Sequence, residues 1–149
     1  MASPRAIYLD AVADCMRQIL QAGGYNTNAG QTVTLEPTPK LAESDEPFIA
    51  VVWSRQVRAT EPAVVRTHRA TTVDIVARVP AQLTDARERL DLIVQDIESA
   101  LARQEVRFPV GYQFPVYQSA EPLLAPAGAG WIGVQVTVAG NIPIHSPAL

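Results

Sequence analysis

The stretch from Phe48 to Val79, FIAVVWSRQVRATEPAVVRTHRATTVDIVARV, decides the fold of this chain. Both of its ends are rich in β-branched and aromatic residues, which favour strands. Phe48–Val57 starts with an almost unbroken apolar run, so we expect burial on both faces there. Val64–Val79 ends in a strict alternation of apolar and polar residues, which is typical of a strand with one buried face. Together they predict a long β-hairpin that extends beyond the core sheet.

The middle of this hairpin is rich in basic side chains and holds one acid, Glu61. The basic residues are Arg55, Arg58, Arg66, His68 and Arg69. Such a ribbon is either a solvated surface or a surface that pairs with acidic groups of a neighbouring subunit. Trp53 is interpreted as a packed side chain or as an interface anchor, because buried aromatic residues often dominate binding energy. These six residues form our candidate interface.

The first predicted helix precedes the hairpin. Ser3-Pro4 supplies a capping hydroxyl and a proline at the first helical position, where its missing N–H costs nothing. Apolar residues then recur at helical spacing, and Gly23-Gly24 is predicted to end the helix. The apolar face comprises Ile7, Ala11, Val12, Cys15, Met16, Ile19 and Leu20.

A second predicted helix follows the hairpin. Pro80 ends the preceding strand, Thr84 is expected to cap the helix, and an apolar stripe from Ala86 to Leu101 continues to about Arg103. The polar positions predicted to face solvent are Asp91, Gln95, Asp96 and Glu98.

Three further strands complete the prediction: Gln31–Glu36, an edge strand at Val116–Glu121, and the alternating segment Trp131–Ala139. Residues 37–47 are predicted to be a proline-containing acidic loop, and residues 140–149 a C-terminal tail. The sequence therefore predicts a single α+β domain over residues 1–149 with its core at 4–139. Its mixed or antiparallel sheet has four to five strands and packs against two helices.

Composition narrows the function classes. At 149 residues the chain can bury a core without disulfides, and its single cysteine, Cys15, fits a reducing compartment. A net charge of −3 argues against a protein that coats DNA. The 48% apolar content fits either a large core or a surface covered by a partner. No segment has the pattern of a secretion signal or a membrane span, so we expect folding in the cytoplasm.

The sequence offers no constellation with evident chemistry. Of its two histidines, His68 lies among arginines and His145 in the predicted tail, and no His, Cys and acidic residues occur at the short spacing of a metal site. Cys15 lies on the apolar stripe of the first helix, where a thiol is an inert hydrophobic group. We therefore predict no catalytic residue, no metal ligand, no cofactor and no enzymatic activity.

The order of these elements resembles the tail terminator (tail completion) proteins of long-tailed bacteriophages and prophages. The resemblance rests on a Tyr-x-Thr turn at 25–27 after the first helix and a proline-led strand entry, Glu46–Val51. It also rests on the returning strand Thr72–Val79, a helix with an Asp-Ile-x-x-Ala-Leu ending over Ala86–Leu101, and a closing strand behind Gly130-Trp131. It covers about residues 4–139.

The resemblance implies a hexameric ring that caps the tail tube, stops its polymerisation and forms the tail side of the head–tail junction. The implied partners are other copies of the chain, the tail tube protein and a neck or head-completion protein. DNA passes through the ring without specific binding, and the protein resides in the virion after assembly in the bacterial cytoplasm. The alternatives are another neck or head-completion subunit, a small-molecule-binding or enzymatic α+β domain, and a bacterial regulatory subunit.

Overall fold

The predicted hairpin lies at the centre of a mixed sheet in a computed structural model that describes residues 2–35, 47–123 and 128–145. The described residues form five strands in the order β1-β2-β3-β5-β4. These are β1 (Val33–Thr34), β2 (Phe48–Arg58), β3 (His68–Pro80), β4 (Val116–Leu123) and β5 (Trp131–Pro143). β1 runs parallel to β2, and the remaining neighbours are antiparallel. Helices α1 (Pro4–Arg17) and α2 (Ala86–Arg103) complete the predicted α+β fold, which is confirmed.

The hairpin itself differs from the prediction in two ways. β3 starts at His68, because Val64 accepts the His68 N–H in a turn instead of joining the strand (2.9 Å). The ribbon is also not a free pair of strands. β5 pairs with β3 along its full length, from His68 opposite Pro143 to Pro80 opposite Trp131.

The predicted tail is partly wrong for the same reason. Residues 140–143 belong to β5, and Ile142 is fully buried opposite Arg69. The alternation therefore continues past Gly140, where the sequence pattern was interrupted by a glycine and a proline. Residues 146–149, the last residue of the predicted first strand, Glu36, and residues 37–46 of the predicted acidic loop lie outside the described residues.

One face of the sheet, which we call the inner face, packs against α1 and α2. Alternate residues of β3 from Val73 to Val79 are fully buried there, whereas Thr72, Asp74 and Val76 on the opposite, outer face are half-buried. Phe48–Val51 is buried on both faces, as predicted. Other large, fully buried side chains are Tyr8, Val12, Met16, Ile19, Ile49, Val51, Ile93, Ile97 and Ile142.

Helix α1 begins as predicted but ends early. The Ser3 hydroxyl accepts the backbone N–H three residues on (3.2 Å). The helix stops at Arg17, before Gly23-Gly24, and the chain returns against its last turn at Gly30. The Gly30 N–H donates to the Ile19 carbonyl (2.9 Å), and a Cβ at Gly30 would lie 2.6–2.8 Å from three carbonyl oxygens. Only glycine permits this close approach.

Helix α2 carries the predicted apolar stripe, with Leu90, Ile93, Ile97 and Leu101 buried. Thr84 does not cap it. The N-cap residue is Asp85, whose carboxylate accepts a hydrogen bond from Arg89 Nε (2.9 Å) rather than from the backbone.

The connection between α2 and β4 is held by aromatic contacts. Phe108 packs edge-on against Tyr8 (ring centroids 5.7 Å apart) and Phe114 (4.9 Å), and Tyr112 stacks near Tyr8 (6.4 Å). This cluster leads the chain to β4, which is an edge strand as predicted and carries a register irregularity.

Candidate assembly surface

The basic end of the hairpin brings two of the predicted arginines face to face. Arg58 on β2 lies directly opposite Arg69 on β3, and both are on the inner face. Like charges directly opposite each other are destabilising by roughly 0.2–1 kcal/mol. Arg69 Nη1 donates to the His68 carbonyl oxygen (3.0 Å), which does not neutralise its charge.

The other two arginines point elsewhere. The register shifts between Trp53 and Arg55, so Arg55 lies opposite Thr72 on the outer face. Arg66 is exposed in the turn between β2 and β3. The predicted basic residues therefore surround the end of the sheet and lie on both of its faces.

None of these four arginines is in an ion pair within the part of the chain that the structure describes. The ion pairs there join Asp14 to Arg17 (2.6 Å) and Asp85 to Arg89 (2.9 Å), both within helices or at their ends. The end of the hairpin therefore carries positive charge that no described carboxylate neutralises.

Both ring nitrogens of His68 contact groups of the same chain. Its Nε2 lies 3.1 Å from the Gly111 carbonyl oxygen, and its Nδ1 lies 2.7 Å from the Thr67 hydroxyl. A carbonyl oxygen only accepts, so the geometry assigns the ring hydrogen to Nε2 and lets Nδ1 accept from Thr67. His68 thus fastens the turn at Gly111 to the start of β3.

Trp53 is 44% exposed and lies on the inner face of β2. The Arg5 guanidinium sits 5.2 Å from its ring centroid and donates to Gln56 Oε1 (3.1 Å). Trp131, by contrast, is half-buried beneath the Arg78 guanidinium (4.2 Å), where burial lowers the pKa of Arg78. Packing therefore accounts for Trp131 but leaves much of Trp53 uncovered.

The prediction that Asp96 faces solvent is wrong. This residue is 1% exposed and accepts four hydrogen bonds. The donors are the Asn26 N–H (3.0 Å), Asn26 Nδ2 (3.1 Å), the Thr27 N–H (2.8 Å) and the Thr27 hydroxyl (2.7 Å). A buried carboxylate with this many donors is well satisfied.

This Asp96 junction joins two segments on which the resemblance rests, the 25–27 turn and the Asp-Ile ending of α2. The burial of Asp96 could have been predicted from the sequence. Asp96 lies three residues after Ile93 and four before Ala100, so helical spacing places it at the border of the apolar stripe. Tyr25 beside it lies under the Arg103 guanidinium (4.3 Å), and burial raises the pKa of Tyr25.

A cleft of about 520 Å³ lies next to this junction, between α2 and the segment 21–32. Amide side chains line much of it, including Gln21, Asn28 and Gln31, together with Arg89 and Leu92. Away from this cleft, the Cys15 thiol is fully buried and contacts the Ala100 carbonyl oxygen (3.6 Å). Burial, aided by the charge of Glu105, raises the pKa of Cys15 to about 11, as expected for an inert thiol.

Comparison with models of known protein families and with curated proteins finds no match to this sequence. Among residues 2–35, 47–123 and 128–145, no group of three or more His, Cys, Asp or Glu side chains is placed to hold a metal ion. None of the described helices has the length and apolar character needed to cross a membrane.

Proposed function

We propose that this chain is a subunit of a ring that caps the tail tube of a long-tailed phage, ends its polymerisation and forms the tail side of the head–tail junction. The proposal starts from the resemblance in element order. It is supported by the confirmed α+β architecture, in which one sheet face packs against two helices.

The observation that carries the proposal is the unneutralised charge at the end of the hairpin. Arg58 faces Arg69 across two strands, and neither has an ion-pair partner among the described residues. A monomer gains nothing from this arrangement, because it concentrates like charge. An acidic surface of a neighbouring subunit would remove the repulsion and gain attraction, so the arrangement favours assembly.

The rest of the surface is compatible with a ring around DNA. The whole chain has a net charge of −3, which limits non-specific attraction to phosphates. The outer face of the sheet carries half-buried side chains of moderate size, including Thr72, Val76 and Thr137, and offers area for contacts with tube or neck proteins.

The direct test of this function is the deletion of the gene from its phage. A tail terminator mutant is expected to produce overlong tails or tails without heads, because nothing stops tube growth or prepares the junction. Normal virions would refute the proposal. Tails of normal length that remain separate from filled heads would instead support the alternative of a neck or head-completion subunit.

A binding experiment on purified components complements the deletion. Wild-type protein added to tail tubes is expected to bind at tube ends and to stop elongation by added tube protein. Electron microscopy of gold-labelled protein locates the binding site. Binding along the tube wall, or no binding, would contradict a terminator role.

A further inference from the structure

The edge strand β4 has little cover on its inner face. α1 packs against β2 and β5, and α2 packs mainly against β3 and β5, so β4 extends beyond the two helices. Tyr117, Ala120 and Pro122 lie opposite inner-face valines of β5 and are exposed. A groove therefore runs between α2 and β4, with the inner face of β5 at its base.

Apolar side chains line this groove. Near the start of β4 it forms a cleft of about 330 Å³, which Leu101, Phe114 and Tyr117 line. Closer to the start of α2, a second cleft of about 650 Å³ includes Val94 and Val134. Apolar residues that group in a concavity mark interaction sites more often than scattered ones do.

The α2 side of the groove is acidic. Glu88, Asp91 and Glu98 line the two clefts, together with one unpaired basic residue, Arg87. The three acids are exposed, and none of them is in an ion pair within the described part of the chain. The groove thus combines an apolar base with an acidic rim, which fits an apolar segment that carries a cation.

The turn between β2 and β3, residues 59–67, has the complementary pattern. The pairing of the two strands ends at Arg58, and the turn lies beyond it. The turn contains one acid, Glu61, and then the apolar run Pro62–Val65, which Arg66 follows directly. It therefore presents apolar side chains next to exposed cations, Arg58 and Arg66.

We propose that this turn of one copy inserts into the groove of the next, with its apolar run on Tyr117 and Arg66 beside Asp91 and Glu98. This contact rests on the proposed ring and assigns both sides of its subunit interface. Asp91 and Glu98 lie seven residues apart on α2, about 10 Å, so one guanidinium between them attracts both carboxylates. Because the turn and the groove are different surfaces of the chain, the contact is head-to-tail, the type that closes into rings.

A charge exchange tests the contact. Arg66→Glu and Glu98→Arg are each expected to lower the assembly constant at least tenfold, because each places like charges across the interface. An equimolar mixture of the two variants should restore assembly. In an alternating ring, each reversed turn then meets a reversed groove, and each unchanged turn meets an unchanged groove. Mass photometry measures the assembled fraction.

Arg107→Glu and Asp10→Arg are the matched controls, because they make the same charge changes at exposed positions outside the turn and the groove. Both should leave assembly unchanged. Reversals at Arg66 or Glu98 that assemble like wild type, or a mixture that fails to recover, would overturn the contact. Rings of Glu98→Arg that form normally but no longer bind tube ends would assign the groove to a tube protein and would overturn it as well.

A disulfide test does not depend on charge. The chain carrying both Ala63→Cys and Tyr117→Cys should form a ladder of three or more linked copies on oxidation. Tyr117 lies in the row of Val73, about 16 Å of strand from the turn, which is too far for an internal disulfide. Each single variant should give nothing longer than a dimer, because Cys15 is buried. A double variant without a ladder would contradict the contact.

The outcomes separate this contact from the proposed function. Wild-type rings whose variants show neither the charge dependence nor the ladder would overturn the contact of turn and groove and leave the ring proposal standing. Wild-type protein that stays monomeric at all concentrations and does not bind tube ends would overturn both.

Discussion

The Asp96 junction and the basic end of the hairpin differ in whether their charged groups have partners within the described part of the chain. At the junction, one buried carboxylate accepts four hydrogen bonds from Asn26 and Thr27 of the same chain. At the hairpin end, Arg58 and Arg69 face each other without a described carboxylate to pair with.

The difference separates groups that stabilise the folded subunit from charges that, in our proposal, a neighbouring subunit neutralises. Groups satisfied within the chain stabilise the subunit, and their loss leaves buried donors without acceptors. Charges unsatisfied within the chain cost stability in the isolated subunit and gain it only when a partner arrives. Substitutions in the two regions should therefore affect different measurements.

The largest expected effect on folding is at the junction. Asp96→Ala should lower the free energy of unfolding by about 3 kcal/mol or more, because it leaves four donors without their acceptor in a buried place. Urea denaturation followed by circular dichroism measures the change.

Asp91→Ala on the exposed side of α2 is the control and should change the free energy of unfolding by less than about 0.5 kcal/mol. Equal effects of the two substitutions would show that the junction is not a special source of stability.

An intermediate effect on the free energy of unfolding is expected from Cys15 at high pH. Its pKa is raised from 9.0 to about 11, first by burial and then by Glu105. The folded chain therefore keeps a proton that the unfolded chain loses. The resulting stability is full below pH 9 and is lost as the pH rises from 9 to 11, at most about 2–3 kcal/mol.

Comparing wild type with Cys15→Ala isolates this contribution, because the two proteins differ in no other side chain. Denaturation at several pH values should show a steeper decline for wild type between pH 9 and 11. Parallel curves would mean that the thiol ionises freely in the folded chain.

The smallest effect on folding is expected at the hairpin. Arg58→Glu should leave the free energy of unfolding unchanged or raise it by up to about 1 kcal/mol, since it replaces a like-charge pair with an opposite one. The same substitution should weaken assembly at least tenfold. Parallel denaturation and mass photometry measure both quantities.

Arg66→Glu separates the effect of charge reversal on assembly from its effect on the free energy of unfolding. Arg66 lies in the turn with no arginine directly opposite, so its reversal should weaken assembly without raising stability. Ring formation unaffected by either reversal would reject the basic end as an interface.

The sequence allowed the main elements to be predicted where periodicity is strong, as in α2 and β3. It failed where tertiary contacts override local signals. Gly30 packs against the carbonyl oxygens at the end of α1, and β5 continues past Gly140 to the buried Ile142. Neither contact can be recognised from the residues that are its neighbours in the sequence.

The candidate surface was predicted in part. The basic residues and Trp53 follow from composition, but the facing of Arg58 and Arg69 depends on strand register.

We expect the charge left unpaired in the subunit to join copies of the chain into a ring. The most direct measurement is the mass of wild-type protein by mass photometry across a concentration series, with and without tail tubes. We predict a six-copy species that grows with concentration or appears on tube ends. A monomer under every condition, with no binding to tubes, would contradict the account.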